Sequence, residues 1–379
     1  MKKYDLILVY YFVRLNDYYA HIIKALSSKY KIGLLLSDEK DFYASRKAFR
    51  NVKETEKTFR ALCVQLGAEK IKVSEKVKGK VVIIPVSALD SEYYVCKFRE
   101  NVSYDRLIGL LRMNSHVRGL DVAKGLGIKK YFVPAKFLFE SRLRYEGKLR
   151  EIDNLDIIEI GFPHKKYSVF NNLNLDIDYL VAYPSHTHFG LGKEKEKYAF
   201  INNLYKLLRK IDLANKVYLK RHDNNDNSQF FSSFSCGSFL LLKVTSFIAD
   251  MCLAICPFFR QKLYRIGIKL KNSLIVIKYP SLEEVTQYHN LGIEIFLPHV
   301  RKGLITGNSG TQFHALYNAL PVYNCDPQEN DEVVAKPYAA AYNVPFCNGE
   351  LVFDKSNFNR ISKECRGADV IQLIKEELN

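Results

Sequence analysis

Continuous apolar runs separated by amphipathic stretches occupy the first part of the chain. Residues 4–13 and 31–36 are such runs, and between them Asp17 can cap a helix over residues 18–29. An apolar run without alternation is typical of a parallel strand, because helices cover both faces of a parallel sheet. The pattern therefore predicts a strand, a helix and a second, parallel strand at the start of the chain.

The same alternation continues along the chain. Strands that alternate with helices indicate an α/β protein, and the length of 379 residues favours two domains. We therefore predict two doubly wound, Rossmann-like halves. Further strands are predicted at residues 80–88, 130–134, 157–160, 179–183, 216–220, 273–278 and 303–306, and helices at 46–66, 104–113, 194–211 and 282–291.

Domain boundaries follow from this pattern. We place an N-terminal domain at residues 1–165, a C-terminal domain at 178–360 and a C-terminal helix at 361–379. Open parallel sheets bind ligands beyond the carboxyl ends of their strands. With two such sheets facing each other, we expect the ligand site in the central cleft between the domains.

The segment 303–325, GLITGNSGTQFHALYNALPVYNC, is the strongest candidate for a ligand site. It contains an apolar strand, a polar turn, an amphipathic helix and a second strand. Free backbone N–H groups at a helix N-terminus favour a phosphate, and small hydroxyls add donors. We predict that Asn308, Ser309, Gly310 and Thr311 bind a nucleotide diphosphate, and an ordinary helix cap by Asn308 or Ser309 is the alternative.

Cysteine usage and the N-terminus bear on the compartment. The eight cysteines form neither a CxxC pair nor a regular framework, which indicates reduced thiols in the cytoplasm. No metal-ligand spacing is present, so we predict no metal. The apolar run near the N-terminus is short, Tyr-rich and followed by Arg14 and Asp17, which indicates a buried strand rather than a signal peptide.

The formal net charge of +16 predicts attraction to polyanions. No zinc-finger, RNP-like or basic heptad pattern is present, so we predict no nucleic-acid partner. Residues 224–271 read as an insertion whose apolar part, 239–259, is interrupted by Lys243 and Asp250. Lying on an anionic membrane surface is the favoured interpretation, and a helical pair packed on the domain is the alternative. The cations expected to meet headgroups are Arg260, Lys262, Arg265, Lys269 and Lys271.

Several short motifs occur in an order that resembles a known family. They are GFP at 161–163, VAYPS at 181–185, KRH at 220–222, ITGNSG at 305–310 and PV at 321–322. Over the last two thirds of the chain this order resembles bacterial surface-polymer transferases of GT-B fold, namely the teichoic-acid CDP-glycerol transferases and, more distantly, capsule Kdo and sialic-acid transferases. The resemblance implies a GT-B fold with an N-terminal acceptor domain and a C-terminal nucleotide-donor domain.

The resemblance also implies an activity. The protein is expected to be a metal-independent glycosyltransferase of cell-envelope polysaccharide biosynthesis, peripheral on the cytoplasmic face of the membrane. Its donor would be a CMP-, CDP- or UDP-activated sugar or a CDP-polyol, its acceptor a glycan or a lipid-linked glycan. No cofactor is expected beyond the activated donor.

Two histidines are candidates for catalysis. His222 lies beside Lys220 and Arg221 at a predicted strand end, where it could contact a donor phosphate or protonate the leaving oxygen. A surface histidine in a basic turn is the alternative. His116, with Arg118 two residues on, is the candidate general base, and a histidine placed by a helix C-terminal dipole is the alternative.

Other residues and other functions stay open. Ser185, His186 and His188 follow a predicted strand and could line the cleft, but the His-x-His pair lacks further clustered metal ligands. A UDP-sugar 2-epimerase of similar architecture is one alternative function. A non-catalytic binding protein is another, because the family has His-Pro where this chain has His222 followed by Asp223.

Overall fold

The computed structural model divides the chain into two compact units, one of Met1–Asn172 with Ser362–Asn379 and one of Leu173–Ile361. Each unit is built on its own sheet. The described residues are 1–10, 16–36, 63–86, 92–111, 120–134, 136, 139–140, 143, 154–161, 175–182, 194–220, 238–255, 257–278, 293, 296–307, 311, 315, 320–325 and 367–379.

The strands with described bounds are β1 Lys2–Tyr10, β2 Ile32–Leu36, β3 Glu69–Lys72, β4 Val77–Pro85, β5 Val102–Leu110, β6 Lys130–Val133, β7 Asp156–Glu159, β8 Ile177–Ala182, β9 Val217–Lys220, β10 Val300–Thr306 and β11 Val322–Asn324. The helices are α1 Asn16–Leu26, α2 Glu92–Asn101, α3 Leu120–Gly125, α4 Glu194–Lys210, α5 Phe239–Ile255, α6 Arg260–Lys278 and α7 Val370–Leu378, with short 3-10 turns at Pro257–Phe259 and Leu297–His299.

The first unit has a parallel sheet of seven strands in the order β3-β2-β1-β4-β5-β6-β7. Its first six strands follow the doubly wound Rossmann order. In β1, Ile7 and Val9 pack into one core, and Leu6, Leu8 and Tyr10 pack into another on the opposite face. Both faces of the strand are therefore buried, which explains its continuous apolar run.

The predicted helix over residues 104–113 is wrong. The segment forms β5, which pairs with β4 and β6, and the helix of this region lies earlier, at α2. Gly109 indicates why a strand forms here, because a Cβ on this residue would lie 2.6 Å from the Tyr131 ring. Glycine weakens a helix interior, and here it lets two strands approach closely.

Helices at both ends of the chain pack on the first sheet. α1 begins at Asn16, so Asp17 lies inside the helix rather than at its cap. α7 begins after Asp369, whose carboxylate accepts a hydrogen bond from the Ile371 N–H at 2.9 Å. The apolar faces of both helices share a core with Leu6 and its neighbours on β1.

The second unit has a parallel sheet of four strands in the order β11-β10-β8-β9. The predicted strands near 179–183, 216–220 and 303–306 are confirmed, as is the predicted helix that became α4. α4 buries Phe200, Leu204 and Leu207 against one face of this sheet, together with Ile268 and Ile275 of α6. The prediction of an α/β protein with two Rossmann-like halves is confirmed.

The predicted strand at residues 273–278 is wrong. These residues form the last turns of α6, and Leu274 and Ile275 are buried there. At the end of α6, Lys278 Nζ donates to the carbonyl oxygens of Leu208 and Arg209 in the last turn of α4, at 3.0 and 3.2 Å. A short apolar run cannot distinguish a strand from a buried helix. Packing against α4 stabilises the helical form of this segment.

Residues 239–255 and 257–278 therefore form one helical hairpin, α5 followed by a 3-10 turn and α6. The predicted insertion boundary at Lys271 falls inside α6. The predicted helix at 282–291 and most of the one at 46–66 lie outside the described residues, although residues 63–65 are helical.

Candidate functional site

A row of polar residues lies at the carboxyl edge of the second unit's sheet. Thr306 at the end of β10 pairs with Asn324 of β11 on one side and with Ala182 of β8 on the other. Ala182 in turn pairs with Lys220 at the end of β9. These four residues, which we call the carboxyl-edge row, cross the whole sheet in register, and three of them are polar.

Strand order places Thr306 at the switch point of this sheet. The chain passes from β8 to β9 on one side of β8, and then returns to β10 and β11 on the other side. In an open α/β sheet, ligands bind outside the carboxyl ends of the strands where the strand order reverses. The boundary between β8 and β10 is that place, and Ala182 and Thr306 are its last paired residues.

Burial distinguishes the carboxyl-edge row from an ordinary strand end. Thr306 has 0% of its surface exposed, and Asn324 and Lys220 are also buried. The Thr306 hydroxyl oxygen has no hydrogen-bond partner among the described residues. A buried hydroxyl without a partner destabilises the fold by about 1–3 kcal/mol, so a ligand that satisfied it would gain that energy.

Backbone contacts hold the β10 and β11 ends together. The Cys325 N–H donates to the Thr306 carbonyl oxygen at 2.8 Å, and Asn203 of α4 donates from Nδ2 to the Cys325 carbonyl oxygen at 3.1 Å. By the two-residue period of a strand, Thr306 shares a face with Leu304, whereas Ile305 packs toward α4. The carboxyl-edge row therefore belongs to the face of the sheet opposite α4 and α6.

The amino edge of the same sheet has its charges paired. The buried Asp178 carboxylate lies 3.0 Å from Arg301 Nη2 and 3.5 Å from Lys302 Nζ, and it accepts a hydrogen bond from the Lys216 N–H at 2.9 Å. Burial opposes ionisation of Asp178, but the Lys216 N–H and the charges of Lys302 and Arg301 outweigh it and lower its pKa. The charges of these residues therefore satisfy one another, and His299 Nε2, just before β10, is the buried atom without a hydrogen-bond partner at this edge among the described residues.

The structure describes two of the predicted site residues. Lys220 lies in the carboxyl-edge row, and Thr311 is helical and partly exposed. Ten predicted site residues lie outside the described residues: His116, Arg118, Ser185, His186, His188, Arg221, His222, Asn308, Ser309 and Gly310.

The corrected elements change the setting of two of these predictions. The strand β5 takes the place of most of the helix predicted before His116. His116 itself lies outside the described residues, and its role as general base stays a prediction. Arg221 and His222 follow Lys220 directly, at the end of β9.

Thr306 and Asn324 were not among the predicted site residues. Each is a buried polar residue that follows buried apolar residues at the carboxyl end of its strand. A buried polar residue indicates a functional site more strongly than a buried apolar one, so a polar residue at the end of an apolar strand was the signal in the sequence. The strand order, which makes Thr306 and Asn324 neighbours, could not be read from the sequence.

Within the described ranges, no group of three or more His, Cys, Asp or Glu side chains could hold a metal ion. The described cysteines form no disulfide with one another: Cys63, Cys96, Cys252 and Cys325. Burial raises the pKa of the Cys63 thiol to about 12, so it is unreactive at neutral pH.

No protein-family model matches the chain, and no curated protein matches it. Among solved structures it is similar to the glycotransferase of kitacinnamycin, with a TM-score of 0.49 over 100% of both chains. It is also similar to CalG4, the calicheamicin glycosyltransferase, with a TM-score of 0.42 over 100% of this chain and 99% of that one. A UDP-N-acetylglucosamine 2-epimerase has a TM-score of 0.44 over 100% and 96%.

Each of these three structures is 10% identical to the chain. With TM-scores below 0.5, the likenesses carry no argument about this protein's activity.

Proposed function

We propose that this protein is a metal-independent glycosyltransferase. It moves a sugar, or a polyol phosphate, from a CMP-, CDP- or UDP-activated donor to a membrane-associated glycan or lipid acceptor. The donor binds in the second unit and the acceptor in the first. The observation that carries the proposal is the carboxyl-edge row at the switch point, with its buried and unpartnered Thr306 hydroxyl.

The carboxyl-edge row fits the diphosphate of a nucleotide. Lys220 supplies a positive charge close to where strands end, and a charge-assisted hydrogen bond to a phosphate is about twice as strong as a neutral one. The Thr306 hydroxyl supplies a donor that needs an acceptor. Asn308 to Thr311 follow β10 in the sequence, and their hydroxyls and N–H groups are proposed to complete the phosphate site.

This arrangement suits departure of a nucleotide leaving group without a metal ion. Fixed donors and cations placed before the reaction stabilise the negative charge that develops on the leaving phosphate. Arg221 and His222 are proposed to act beside Lys220 on that phosphate, and His116 is proposed to take the proton from the acceptor hydroxyl. Replacing either histidine by alanine should lower turnover by roughly 100-fold.

The proposal can be tested by calorimetric titration with CMP, CDP, UDP and GDP. Lys220→Met should weaken binding of the preferred nucleotide by about tenfold or more, because it removes a charge-assisted hydrogen bond. Lys216→Met is the matched control. Lys216 lies immediately before the same strand, pairs with Asp176 at 2.8 Å and is exposed, so its loss should leave affinity unchanged.

Thr306→Val gives a sharper signature. It removes the unsatisfied buried hydroxyl, so the ligand-free variant should unfold at an equal or higher temperature than the parent. The same variant should bind the nucleotide about fivefold less tightly. If both Thr306→Val and Lys220→Met bind nucleotide as the parent does, the proposed site is wrong.

Two assays separate the alternative functions. A transferase consumes the donor faster when an acceptor glycan is added, whereas a 2-epimerase inverts C2 of a UDP-sugar with no acceptor present. A non-catalytic binding protein would bind nucleotide with neither reaction. Donor consumption that depends on acceptor is the result expected here.

A further inference from the structure

The hairpin helix α5 has its large apolar residues on the outside. Six of them recur at spacings that place them on one side of the helix, and the turn after α5 extends the surface. Phe247 has 65% of its surface exposed and Phe258 in the turn has 94%. We call this surface the outer stripe, and it consists of Leu240, Val244, Phe247, Ile248, Met251, Ile255, Phe258 and Phe259.

The opposite side of α5 packs on α6. Here Ser246 and Asp250 accept hydrogen bonds from Lys271 of α6, whose side chain is 1% exposed. Lys271 Nζ lies 2.7 and 2.8 Å from the two Asp250 carboxylate oxygens, and Tyr198 of α4 donates to the same carboxylate. The prediction that Lys271 meets anionic headgroups is therefore wrong.

The exposed apolar stripe of α5 departs from the pattern of a helix on a water-soluble surface. Such a helix turns its apolar stripe inward and its polar residues outward. Here Leu242 and Ala249 are the buried apolar residues of α5, while larger apolar side chains are exposed. A continuous exposed apolar surface of this kind marks contact with something other than water.

The charges of the hairpin indicate which partner contacts the outer stripe. Residues 238–278 contain seven Lys and Arg against one acidic residue, Asp250, and that residue is paired with Lys271. Lys243, Arg260 and Lys262 are exposed beside the outer stripe. A second copy of the chain would bring the same cations together and repel, whereas an anionic lipid surface attracts them.

The length of α5 determines how it meets that surface. Its 17 residues span about 25 Å. Among the residues with described structure, no helix is both long enough and apolar enough to cross a bilayer. An apolar stripe flanked by cations suits a helix that lies in the plane of the interface, with its apolar side at the acyl boundary.

We infer that α5 and the turn after it insert their outer stripe into the interfacial layer of an anionic membrane. Lys243, Arg260 and Lys262 contact the headgroups, and the Asp250–Lys271 pair holds α5 against α6 so that the stripe faces outward. This inference deepens the proposed function by naming the surface that brings the enzyme to its acceptor. The inference rests on the proposed function only for the identity of the acceptor. Vesicle binding is measured without donor or acceptor, so a failure of the membrane inference can be distinguished from a failure of the proposed function.

Vesicle flotation of the full chain tests the inference. We expect binding to phosphatidylcholine vesicles containing about 30% phosphatidylglycerol, weak binding to pure phosphatidylcholine, and release as NaCl rises from about 0.05 to about 0.5 M. Phe247→Gln with Ile248→Gln should reduce binding by about tenfold or more, since both side chains leave the acyl boundary. Both are exposed, so the fold should survive.

Leu213→Gln is the matched control. Leu213 is an exposed apolar residue of the same unit, 66% exposed, in the connection between α4 and β9. Its replacement should leave vesicle binding unchanged. An equal loss of binding in this control would overturn the inference, as would equal binding of the parent to neutral and anionic vesicles.

The absence of tryptophan from the chain allows a direct readout of insertion. Phe258→Trp places one fluorophore in the turn, and its emission should shift to shorter wavelength on anionic vesicles and be quenched by brominated lipid tails. Leu213→Trp should show neither effect. Unchanged emission from the Phe258→Trp variant on anionic vesicles would overturn the inference. A dimer in solution that Phe247→Gln dissociates would also overturn it, because the outer stripe would then be a contact between two copies of the chain.

Discussion

Lys271 and Thr306 are both buried polar residues of the second unit, and their surroundings differ. The Lys271 amine has two Asp250 oxygens and the Ser246 hydroxyl within hydrogen-bond distance and lies 5.0 Å from the centre of the Tyr198 ring. The Thr306 hydroxyl has no partner among the described residues. A satisfied buried charge stabilises one packing arrangement, whereas an unsatisfied hydroxyl at a strand end is a candidate ligand contact.

Asp250→Asn should destabilise the protein by about 2–3 kcal/mol, because it leaves the buried Lys271 charge without its partner. Burial already lowers the pKa of Lys271, and the Asp250 hydrogen bond and charge oppose that effect. Chemical denaturation measures the change. Adding Lys271→Met to this variant should recover part of the loss, since the unpaired charge is then gone.

Asp176→Asn is the control for that experiment. Asp176 pairs with Lys216 and Arg301 at the surface, and such pairs contribute about 1 kcal/mol or less. Equal destabilisation by the two substitutions would mean that the burial of Lys271 adds nothing to the strength of its pair.

The lowered pKa of Asp178 leads us to expect that the fold loses stability in acid. Its pKa in the folded protein is lowered, so its contribution is fully present above the unfolded value of about 3.9 and is lost as pH falls from there through the folded pKa. Asp178→Asn should cost about 2 kcal/mol at pH 7, because Arg301 and Lys302 lose their buried partner. The difference from the parent should shrink below about pH 4.

Denaturant titrations of both proteins at pH 7 and about pH 3 measure this difference. A difference that is the same at the two pH values would show that the ionised carboxylate of Asp178 does not stabilise the fold.

Among the elements, α7 shows how one short helix completes a sheet core. Ile371, Ile374 and Leu378 pack into the core shared with α1, while Glu377 on the same helix contacts Lys130 and lies 3.3 Å from Arg106 Nη1. Lys80 also donates to the Leu378 carbonyl oxygen at the helix end. The last helix of the chain thus belongs to the first unit.

Ile374→Ala should therefore destabilise the first unit by about 3 kcal/mol, through lost burial and the cavity left behind. Gln372→Ala on the exposed side of α7 should change stability by only a few tenths of a kcal/mol. Thermal unfolding followed by circular dichroism compares them. A small effect of Ile374→Ala would mean that α7 docks only weakly.

The two elements that sequence patterns assigned wrongly share a cause. β5 has charged residues that suit an exposed helix face, and the last turns of α6 have an apolar run that suits a buried strand. In each case the neighbouring elements determined the secondary structure. β5 forms backbone hydrogen bonds with β4 and β6, whereas α6 packs against α4. The pattern of apolar and polar positions predicts secondary structure poorly wherever a strand and a helix would bury similar side chains.

At the scale of the whole molecule, the hairpin carries seven Lys and Arg against one acidic residue, which is +6 of the net charge of +16. The acidic residue, Asp250, is paired with Lys271. Composition alone predicts attraction to polyanions, but it names neither the surface nor the partner. The exposed apolar stripe of α5 is what favours an anionic membrane over the other polyanions.

The α/β class, the two parallel-sheet halves and most buried strands were determined by the sequence alone, because strands buried on both faces must be continuously apolar. The neighbours of Lys220, Thr306 and Asn324 were decided only by tertiary structure. These residues are distant in the chain and meet because β10 lies between β11 and β8, a strand order that no local pattern encodes. The same holds for α5, whose apolar residues are visible in the sequence but whose outward face depends on the contact between Asp250 and Lys271.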